Sequence, residues 1–325
     1  MPSSDAHRRL GFAVVMLATS AFAPRAAAQQ QAQGFAVERL YPSAPGGGWF
    51  VMDALDMHGG LGGAMALTTS YSRDPLRVSS GSQHLAVVAD RAFADFGFAA
   101  TYDRFRMSLN MDVPLVTKGQ SGTVGAYQFV APSLDLGTTP DTLSDVRVGL
   151  DARILGDARA PFRLGAGAQL LIPSGHRSDY DSDGTYGAMG RVLFAGDQGR
   201  FTYAGHLGVH VRPLDDSPTP ESPRGTELLF GLAGGVRVLV FGSGSPSLIV
   251  GPEIYGATAF RSMFGTTDTA LEGLLTGRLE GTSDSGPQLR VKLGTGAGLN
   301  PHFGAPEWRL VLAVEVFEYG AASDK

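Results

Sequence analysis

The chain has 325 residues, of which 45 are glycine and 18% are charged, and its formal net charge is −5. This length is sufficient for one large β domain. The small net charge, without a basic patch, argues against nucleic acid as a partner. The sequence contains no cysteine, which excludes disulfides, thiol catalysis, cysteine-ligated metals and a lipid anchor on cysteine.

Residues 1–28 have the pattern of a secretory signal peptide. Arg8 and Arg9 form a positive n-region, Leu10–Ala23 is the apolar h-region, and Ala26–Ala28 is a small-residue cleavage site. We therefore expect an exported protein whose mature chain begins at Gln29. An N-terminal anchor helix is the alternative, and the short apolar run disfavours it. No later apolar run is long enough for a transmembrane helix.

Apolar and charged residues alternate along the stretch 144–155. Side chains of a strand point alternately to opposite faces, so this stretch predicts a β-strand with one apolar and one charged face. The apolar face carries valine, leucine, alanine and isoleucine at positions 146, 148, 150, 152 and 154. The opposite face carries Asp145, Arg147, Asp151 and Arg153.

The same alternation recurs after residue 60 and predicts about twelve strands, an even number as in single-chain bacterial barrels. No amphipathic helix is expected after the signal peptide. We predict an all-β fold, a closed antiparallel up-and-down transmembrane β-barrel. The predicted strands are Leu61–Ser72, His84–Tyr102, Phe105–Val116, Leu143–Leu155, Pro161–Pro173, Thr185–Ala195, Arg200–Arg212, Thr226–Phe241, Ser247–Phe260, Ala270–Glu280, Pro287–Leu299 and Glu307–Phe317.

Short and long connections alternate between these strands. The short ones are Asp103–Arg104, Gly156–Ala160, Gly196–Gly199 and Gly242–Pro246. The long ones are Arg73–Gln83, Thr117–Thr142, Ser174–Gly184, Pro213–Gly225 and Arg261–Thr269. Outer-membrane barrels have short periplasmic turns and long outer loops. With the N-terminus in the periplasm, the first connection is then predicted to be an outer loop, and the even strand count returns the C-terminus to the periplasm.

These patterns divide the chain into four parts. Residues 1–28 are the signal peptide, 29–60 an N-terminal lead-in or a segment within the lumen, 61–319 the transmembrane β-barrel and 320–325 a C-terminal tail. The expected location is the bacterial outer membrane. The expected partners are the lipid bilayer and small polar solutes or ions, with the protein as a monomer.

Aromatic residues cluster at both ends of the predicted strands, as in the girdles of membrane barrels. Those beside the predicted turns or the C-terminus are Tyr102, Phe105, Phe162, Phe201, Tyr203, Phe241 and Phe317. Those beside the predicted outer loops are Tyr186, Phe260, Phe264, Phe303 and Trp308. Aromatic residues are also common at strand ends and in cores of soluble proteins, which is the alternative.

The charged faces of the strands predict a polar lumen. Its candidate lining residues are Asp95, Arg106, Asp112, Asp145, Arg147, Asp151, Arg153, Arg163, Arg191, Arg212, Glu227, Arg237, Glu253, Glu272, Arg278, Arg290, Lys292, Arg309 and Glu315. If water fills this lumen, the charges line a pore, and their arginine excess favours anions. If they pair tightly, or the N-terminal segment enters, the barrel is closed.

Several short motifs follow one another in an order that resembles a known group of barrels. They are Glu38–Ser43, Gly48–Phe50, Asp53–Leu55, Tyr71, Asp74–Leu76, Tyr102–Phe105 and Asp112–Pro114. The order resembles the barrel regions that precede OmpA-type peptidoglycan-binding domains in some Gram-negative proteins. The resemblance implies an outer-membrane barrel with a porin-like or structural role. Since the sequence ends after the barrel, we expect no wall-anchoring domain.

A metal or other cofactor is not expected. Asp179, Asp181 and Asp183 precede Gly184 with the spacing of a calcium loop, but Gly190 stands where that loop needs a bidentate acid. We therefore interpret the stretch as a solvated outer loop.

No nucleophile–base pair stands out, so an enzyme is not expected. The predicted function is a porin-like passive pore, or transport of small polar solutes through a charged lumen. A structural or partner-binding barrel with a blocked lumen is one alternative. Another is a secreted soluble β-sandwich, in which the apolar faces would pack against a second sheet.

Overall fold

The computed structural model describes residues 30–139, 142–214, 225–240, 246–281, 286–300 and 304–320. The predicted signal peptide and the tail beyond Gly320 lie outside these residues, as do Phe241 and Phe303. Within the described ranges, no helix has both the length and the apolar character needed to cross a membrane.

The described residues form strands and two short 3₁₀ helices, Arg177–Asp179 and Phe260–Ser262. The strands are β1 (Gln30–Gln31), β2 (Leu61–Ser80), β3 (Gln83–Tyr102), β4 (Phe105–Lys118), β5 (Gly122–Val124), β6 (Tyr127–Phe129), β7 (Ser133–Asp135), β8 (Val146–Leu155), β9 (Arg163–Ile172), β10 (Gly187–Gln198), β11 (Phe201–Val211), β12 (Glu227–Val240), β13 (Ser247–Ala259), β14 (Thr269–Glu280), β15 (Gln288–Asn300) and β16 (Trp308–Glu318).

Twelve of these strands, β2 to β4 and β8 to β16, close into an antiparallel barrel. Each pairs with both neighbours, and β16 returns to pair with β2, with Val314 opposite Leu67. Closure satisfies the backbone groups of every barrel strand without a free edge, as a hydrocarbon surrounding requires. The predicted fold class is confirmed, and each predicted strand matches a barrel strand to within a few residues, except that β2 is longer.

The two ends of the barrel differ. The turn end carries the short connections, such as Asp103–Arg104 between β3 and β4, together with the start of β2 and the end of β16. The loop end carries the longer connections, which include β5, β6 and β7. By the rule for outer-membrane barrels, the turn end faces the periplasm and the loop end faces the outside.

The outer surface of the barrel is apolar. Val148, Leu150, Leu293 and Leu312 are between 39% and 55% exposed, whereas Asp151, on the other face of β8, is 1% exposed. In a sandwich these apolar side chains would meet a second sheet in a dry middle, so the β-sandwich alternative is wrong. An outer barrel surface of exposed leucine and valine requires lipid around it. The barrel is therefore a protein of the bacterial outer membrane.

One predicted outer loop is largely strand. The stretch Arg73–Gln83 continues β2 as far as Ser80, and β3 starts again at Gln83 after a tight turn in which Gly81 has φ of 58°. The extension forms because apolar residues keep alternating with polar ones, and Leu76 packs in a cluster at the loop end. Asp74, with φ of 49°, lies where the register shifts between Arg73 and Leu76.

Aromatic side chains are exposed at both barrel ends, with one correction. Those exposed at the turn end are Tyr102, Phe105, Phe162 and Phe201, and those at the loop end are Tyr186, Phe260, Phe264 and Trp308. Phe317 is buried inside, on the same face of β16 as Glu315, and the Arg290 guanidinium lies 4.6 Å from its ring centre. The prediction that Phe317 belongs to the outer girdle is wrong because its strand parity is that of the inward residues.

The lipid-facing assignment predicts the effect of a charge at mid-barrel. Leu293→Arg lies near the middle of β15 and should lower the free energy of unfolding by about 2–4 kcal/mol, because arginine at the bilayer midplane is poorly solvated. Urea unfolding of the protein folded into lipid vesicles measures this. Leu136→Arg, beyond β7 in a loop-end connection, is the control and should have little effect. Equal stability of Leu293→Arg and the parent protein would contradict the assignment.

Candidate transport lumen

Residues 32–60, here called the internal segment, run through the barrel from end to end. At the loop end, the backbone N–H of Val37 donates to the carbonyl of Tyr180 at 3.1 Å. At the turn end, the N–H of Asp103 donates to the carbonyl of Gly59 at 2.7 Å. The sequence left the placement of residues 29–60 open between a lead-in and a lumen segment. The expectation of an N-terminus in the periplasm is wrong for the described residues, because the segment starts at the loop end.

The middle of the internal segment folds back on itself. The N–H of Ser43 donates to the carbonyl of Phe50 at 2.8 Å, and the Ser43 hydroxyl donates to the carbonyl of Trp49 at 2.8 Å. Gly46 and Gly48 have φ of 83° and 95°, in the left-handed region that favours glycine. The Gly-Gly-Gly run in the sequence therefore makes the turn that allows this compact shape.

Large side chains of the internal segment fill the mid-lumen. Trp49 and Phe50 are fully enclosed, and glycines on the wall leave space for them. A Cβ at Gly235 would lie 2.7 Å from the Trp49 ring, and one at Gly294 would lie 2.7 Å from the Phe50 ring. Glycine is required at these two positions because the internal segment lies close to the backbone of the wall there.

Ion pairs join the internal segment to the wall in the loop-end half. The Glu38 carboxylate accepts from Arg309 at 2.8 Å and lies 3.5 Å from Arg91. Arg39 donates to the Glu227 carboxylate at 2.9 Å. All of these side chains are buried. Removing one partner would leave a buried charge unpaired, which is costly, so these pairs fix which wall residues the segment lies against.

A carboxylate on β13 holds the mid-lumen turn. Glu253, which is fully buried, accepts from the N–H groups of Phe50 and Val51, both at 3.0 Å. The hydroxyl of Thr276 donates to the same carboxylate at 2.8 Å. Hydrogen bonds to a charged acceptor are among the stronger ones in proteins. Glu253 therefore fixes the backbone of the internal segment beside Trp49 and Phe50.

Cations of the wall hold the turn-end half. Lys292 donates to the carbonyl of Trp49 at 3.0 Å and lies 5.1 Å from the ring centre of Phe50. Arg106 binds the Asp53 carboxylate, and its second nitrogen lies 3.4 Å from Asp56. The internal segment is thus attached along its whole length by charged and polar contacts.

The residues predicted to line the lumen lie on the enclosed side of the strands. Arg191 and Arg237 are half-buried. The others are buried: Asp95, Arg106, Asp112, Asp145, Arg147, Asp151, Arg153, Arg163, Arg212, Glu227, Glu253, Glu272, Arg278, Arg290, Lys292, Arg309 and Glu315. Most do not face open water, because they bind one another or the internal segment.

Sequence reasoning missed the segment's own charged residues and several wall residues, among them Arg91, Asp197 and Glu280. Glu38, Arg39 and Asp53 lie in a stretch without periodicity, and only the glycine run followed by Trp49 hinted at an internal turn. Arg91 could have been found, because it shares its strand face with Asp95.

The predicted weak calcium candidate is Asp179, Asp181 and Asp183, and two of these, Asp181 and Asp183, are bound by cations of the protein. Asp181 pairs with Arg91, and Asp183 accepts from Nε of Arg212 at 2.6 Å. Among the described residues, no three histidine or acidic side chains are grouped closely enough to hold a metal ion. The carboxylates at 181 and 183 are therefore engaged in fixing this loop to the wall.

No family model and no curated protein matches the chain. It is similar to the structure of the COG4313 outer membrane channel from Pseudomonas putida F1, with a TM-score of 0.53 and 14% identity over 82% of this chain and 98% of that one. The NanC porin gives a TM-score of 0.44 and 8% identity over 78% and 98% of the two chains. The fold is that of an outer-membrane β-barrel.

The hydrogen bonds of Glu253 predict how the internal segment is retained. Glu253→Ala should make the amides of Phe50 and Val51 exchange with solvent about ten- to a hundredfold faster, because hydrogen bonds to a charged group contribute about 1.5–3 kcal/mol. Hydrogen exchange read by mass spectrometry measures this. Asp197→Asn, which breaks a pair with Arg163, is the control and should leave these amides unchanged. Unaltered exchange in Glu253→Ala would contradict the retention role.

Acid should loosen the loop-end attachment. Burial alone would raise the pKa of Asp183, but the Arg212 guanidinium lowers this pKa to about 2. Because the pKa of Asp183 is lower in the folded than in the unfolded protein, its pairing with Arg212 stabilises the fold above the unfolded pKa. This stabilisation is lost as the pH falls from about 4 towards 2. The loss should be about 2 kcal/mol. Protonation of Asp183 weakens its hold on the N–H of Ala36, which donates to the Asp183 carboxylate at 2.9 Å.

Hydrogen exchange of Ala36 across this pH range tests the attachment, once corrected for the intrinsic pH dependence of exchange. The protection of this amide should fall between about pH 4 and pH 2. Asp183→Asn cannot ionise and should show no such step. A protection factor that is flat with pH in the parent protein would contradict the assignment.

Proposed function

We propose that the protein is an outer-membrane channel for passive passage of small polar solutes or ions, and that the internal segment closes and opens its lumen. The observation that carries the proposal is the charged attachment of the segment to the wall. Glu38 and Asp53 of the segment bind Arg309 and Arg106 of the wall. Glu253 of the wall accepts from the N–H of Phe50 in the segment. Charged groups attached in this way can bind water instead, whereas apolar side chains that pack together cannot.

Water can replace one partner of an ion pair. Buried ion pairs stabilise a closed interior poorly, because desolvation of both charges offsets much of their attraction. An apolar core would serve a permanently closed barrel better. The wall carries charged pairs, such as Arg309 of β16 with Glu272 of β14. Such a wall is compatible with a state in which water fills the lumen and solutes pass.

A structural or partner-binding barrel with a blocked lumen is the second candidate. The observation that favours it is the enclosure of Trp49 and Phe50 at mid-lumen. In that case the segment never leaves, and the loop end makes surface contacts. Electrical conductance separates the two candidates, because a permanently blocked barrel passes no current.

The proposal also concerns the chemistry, the oligomeric state and the relatives of the protein. The protein acts without enzymatic chemistry, and it acts as a monomer. It is related to the barrels that precede OmpA-type peptidoglycan-binding domains, on the motifs Glu38–Ser43 and Tyr102–Phe105.

A reversible lock on the internal segment tests the channel proposal. A Cβ at Gly97 would lie 2.7 Å from Cγ of Pro45, so cysteines at both positions come within disulfide reach. The chain has no other cysteine. In planar bilayers the parent protein should conduct, the oxidised Pro45→Cys/Gly97→Cys protein should not, and a reducing agent should restore the current.

The single variants Pro45→Cys and Gly97→Cys are the matched controls and should conduct in both redox states. A parent protein that never conducts across the accessible voltage range would overturn the channel in favour of the blocked barrel. An oxidised pair that conducts like the parent would overturn the role of the internal segment.

A further inference from the structure

A cavity of about 430 Å³ opens at the turn end, between the internal segment and the wall. This volume falls in the range of pockets that hold small molecules. Its lining is mostly polar and charged, and includes Asp56, Asp197, Arg237, Arg278, Glu280 and Arg290. The cavity lies at the end of the barrel that the short connections assign to the periplasm.

The acidic groups of this cavity already have cationic partners. Asp197 accepts from Arg163 at 2.7 Å, and Glu280 accepts from Arg290 at 3.0 Å. Asp56 lies 3.8 Å from the same Arg290. The cavity therefore has little free negative charge to offer to a further cation.

Two lining arginines are less well satisfied. Arg278 is 4% exposed, and within the described part of the chain its Nε and Nη1 atoms have no hydrogen-bond partner. It packs 4.5 Å from the ring centre of Trp49, and its Nε lies 3.4 Å from Glu280. The Nε of the half-buried Arg237 also has no partner among the described residues. Buried donors without acceptors are costly, so these guanidinium groups are poised to receive one.

Neutral hydrogen-bonding groups complete the lining. Thr202, Ser247 and Gln288 contribute hydroxyl and amide groups. Guanidinium forks match the planar or tetrahedral oxygens of carboxylate and phosphate groups, and hydroxyls can bind a polar remainder.

We propose that this cavity binds a small anionic solute through a carboxylate or phosphate group, with Arg237 and Arg278 as its ligands. The role of this site rests on the proposed channel, in which the cavity selects solutes at the periplasmic end of the lumen. The binding itself is a property of the folded barrel with or without current.

Calorimetry of the full chain folded in detergent tests the site. The probes are inorganic phosphate and succinate, titrated at constant ionic strength set with sodium chloride. Saturable binding is expected for at least one, and the stronger probe distinguishes a phosphate site from a carboxylate site. Arg237→Gln and Arg278→Gln should each weaken binding about tenfold or more, the effect of losing a charged hydrogen bond.

Two further variants separate binding from folding. Glu280→Gln removes the carboxylate nearest Arg278 and should tighten binding, which a misfolded protein would not do. Arg73→Gln, whose side chain pairs with Asp90 outside this cavity, should bind like the parent. Fluorescence gives a second readout, because the chain has two tryptophans, and Trp308→Phe leaves only Trp49, under Arg278.

The outcomes distinguish this site from the channel. Absence of saturable binding of both probes, or equal affinity of Arg237→Gln, Arg278→Gln and the parent, would overturn the anion site. Binding with the expected variant effects, in a protein that never conducts, would support the site and overturn only its role in passage. Conductance without binding would overturn the site and leave the channel standing.

Discussion

Charge pairing across the lumen is the interaction on which the interior of this protein depends. A closed barrel of this kind turns one face of every strand to lipid and the other to a confined space. The second face carries charges that cannot remain unpaired there. The internal segment supplies many of the missing partners, such as Glu38 for Arg309 and Asp53 for Arg106. The wall and the segment therefore stabilise each other.

The barrel was predictable because its information is local. In β8 and β16, each residue's face follows from its parity in sequence, so the apolar and charged sides can be assigned without knowing the partner strands. The β2–β3 extension was missed because Asp74-Pro75 reads as a turn. The alternation after Leu76 is short, and the strand is supported by a cluster with distant residues that includes Val37 of the internal segment.

The internal segment could not be derived from sequence for the converse reason. It has almost no regular secondary structure, and its backbone groups are satisfied by distant residues, as when Glu253 binds the amides of Phe50 and Val51. No short-range pattern encodes such contacts. The same holds for the turn-end cavity, since Arg237 and Arg278 become an anion-binding pair only through the neighbours that engage the acidic groups around them.

The internal segment enters the barrel at the outer loops and leaves it at the periplasmic turns. Since the chain has no cysteine, single cysteines can report this on intact cells with a bulky, membrane-impermeant maleimide. Gln33→Cys, exposed at the loop end, should be labelled from outside. Arg104→Cys, in a turn, should be labelled only after the outer membrane is permeabilised. Labelling of Gln33→Cys only after permeabilisation would contradict the claim.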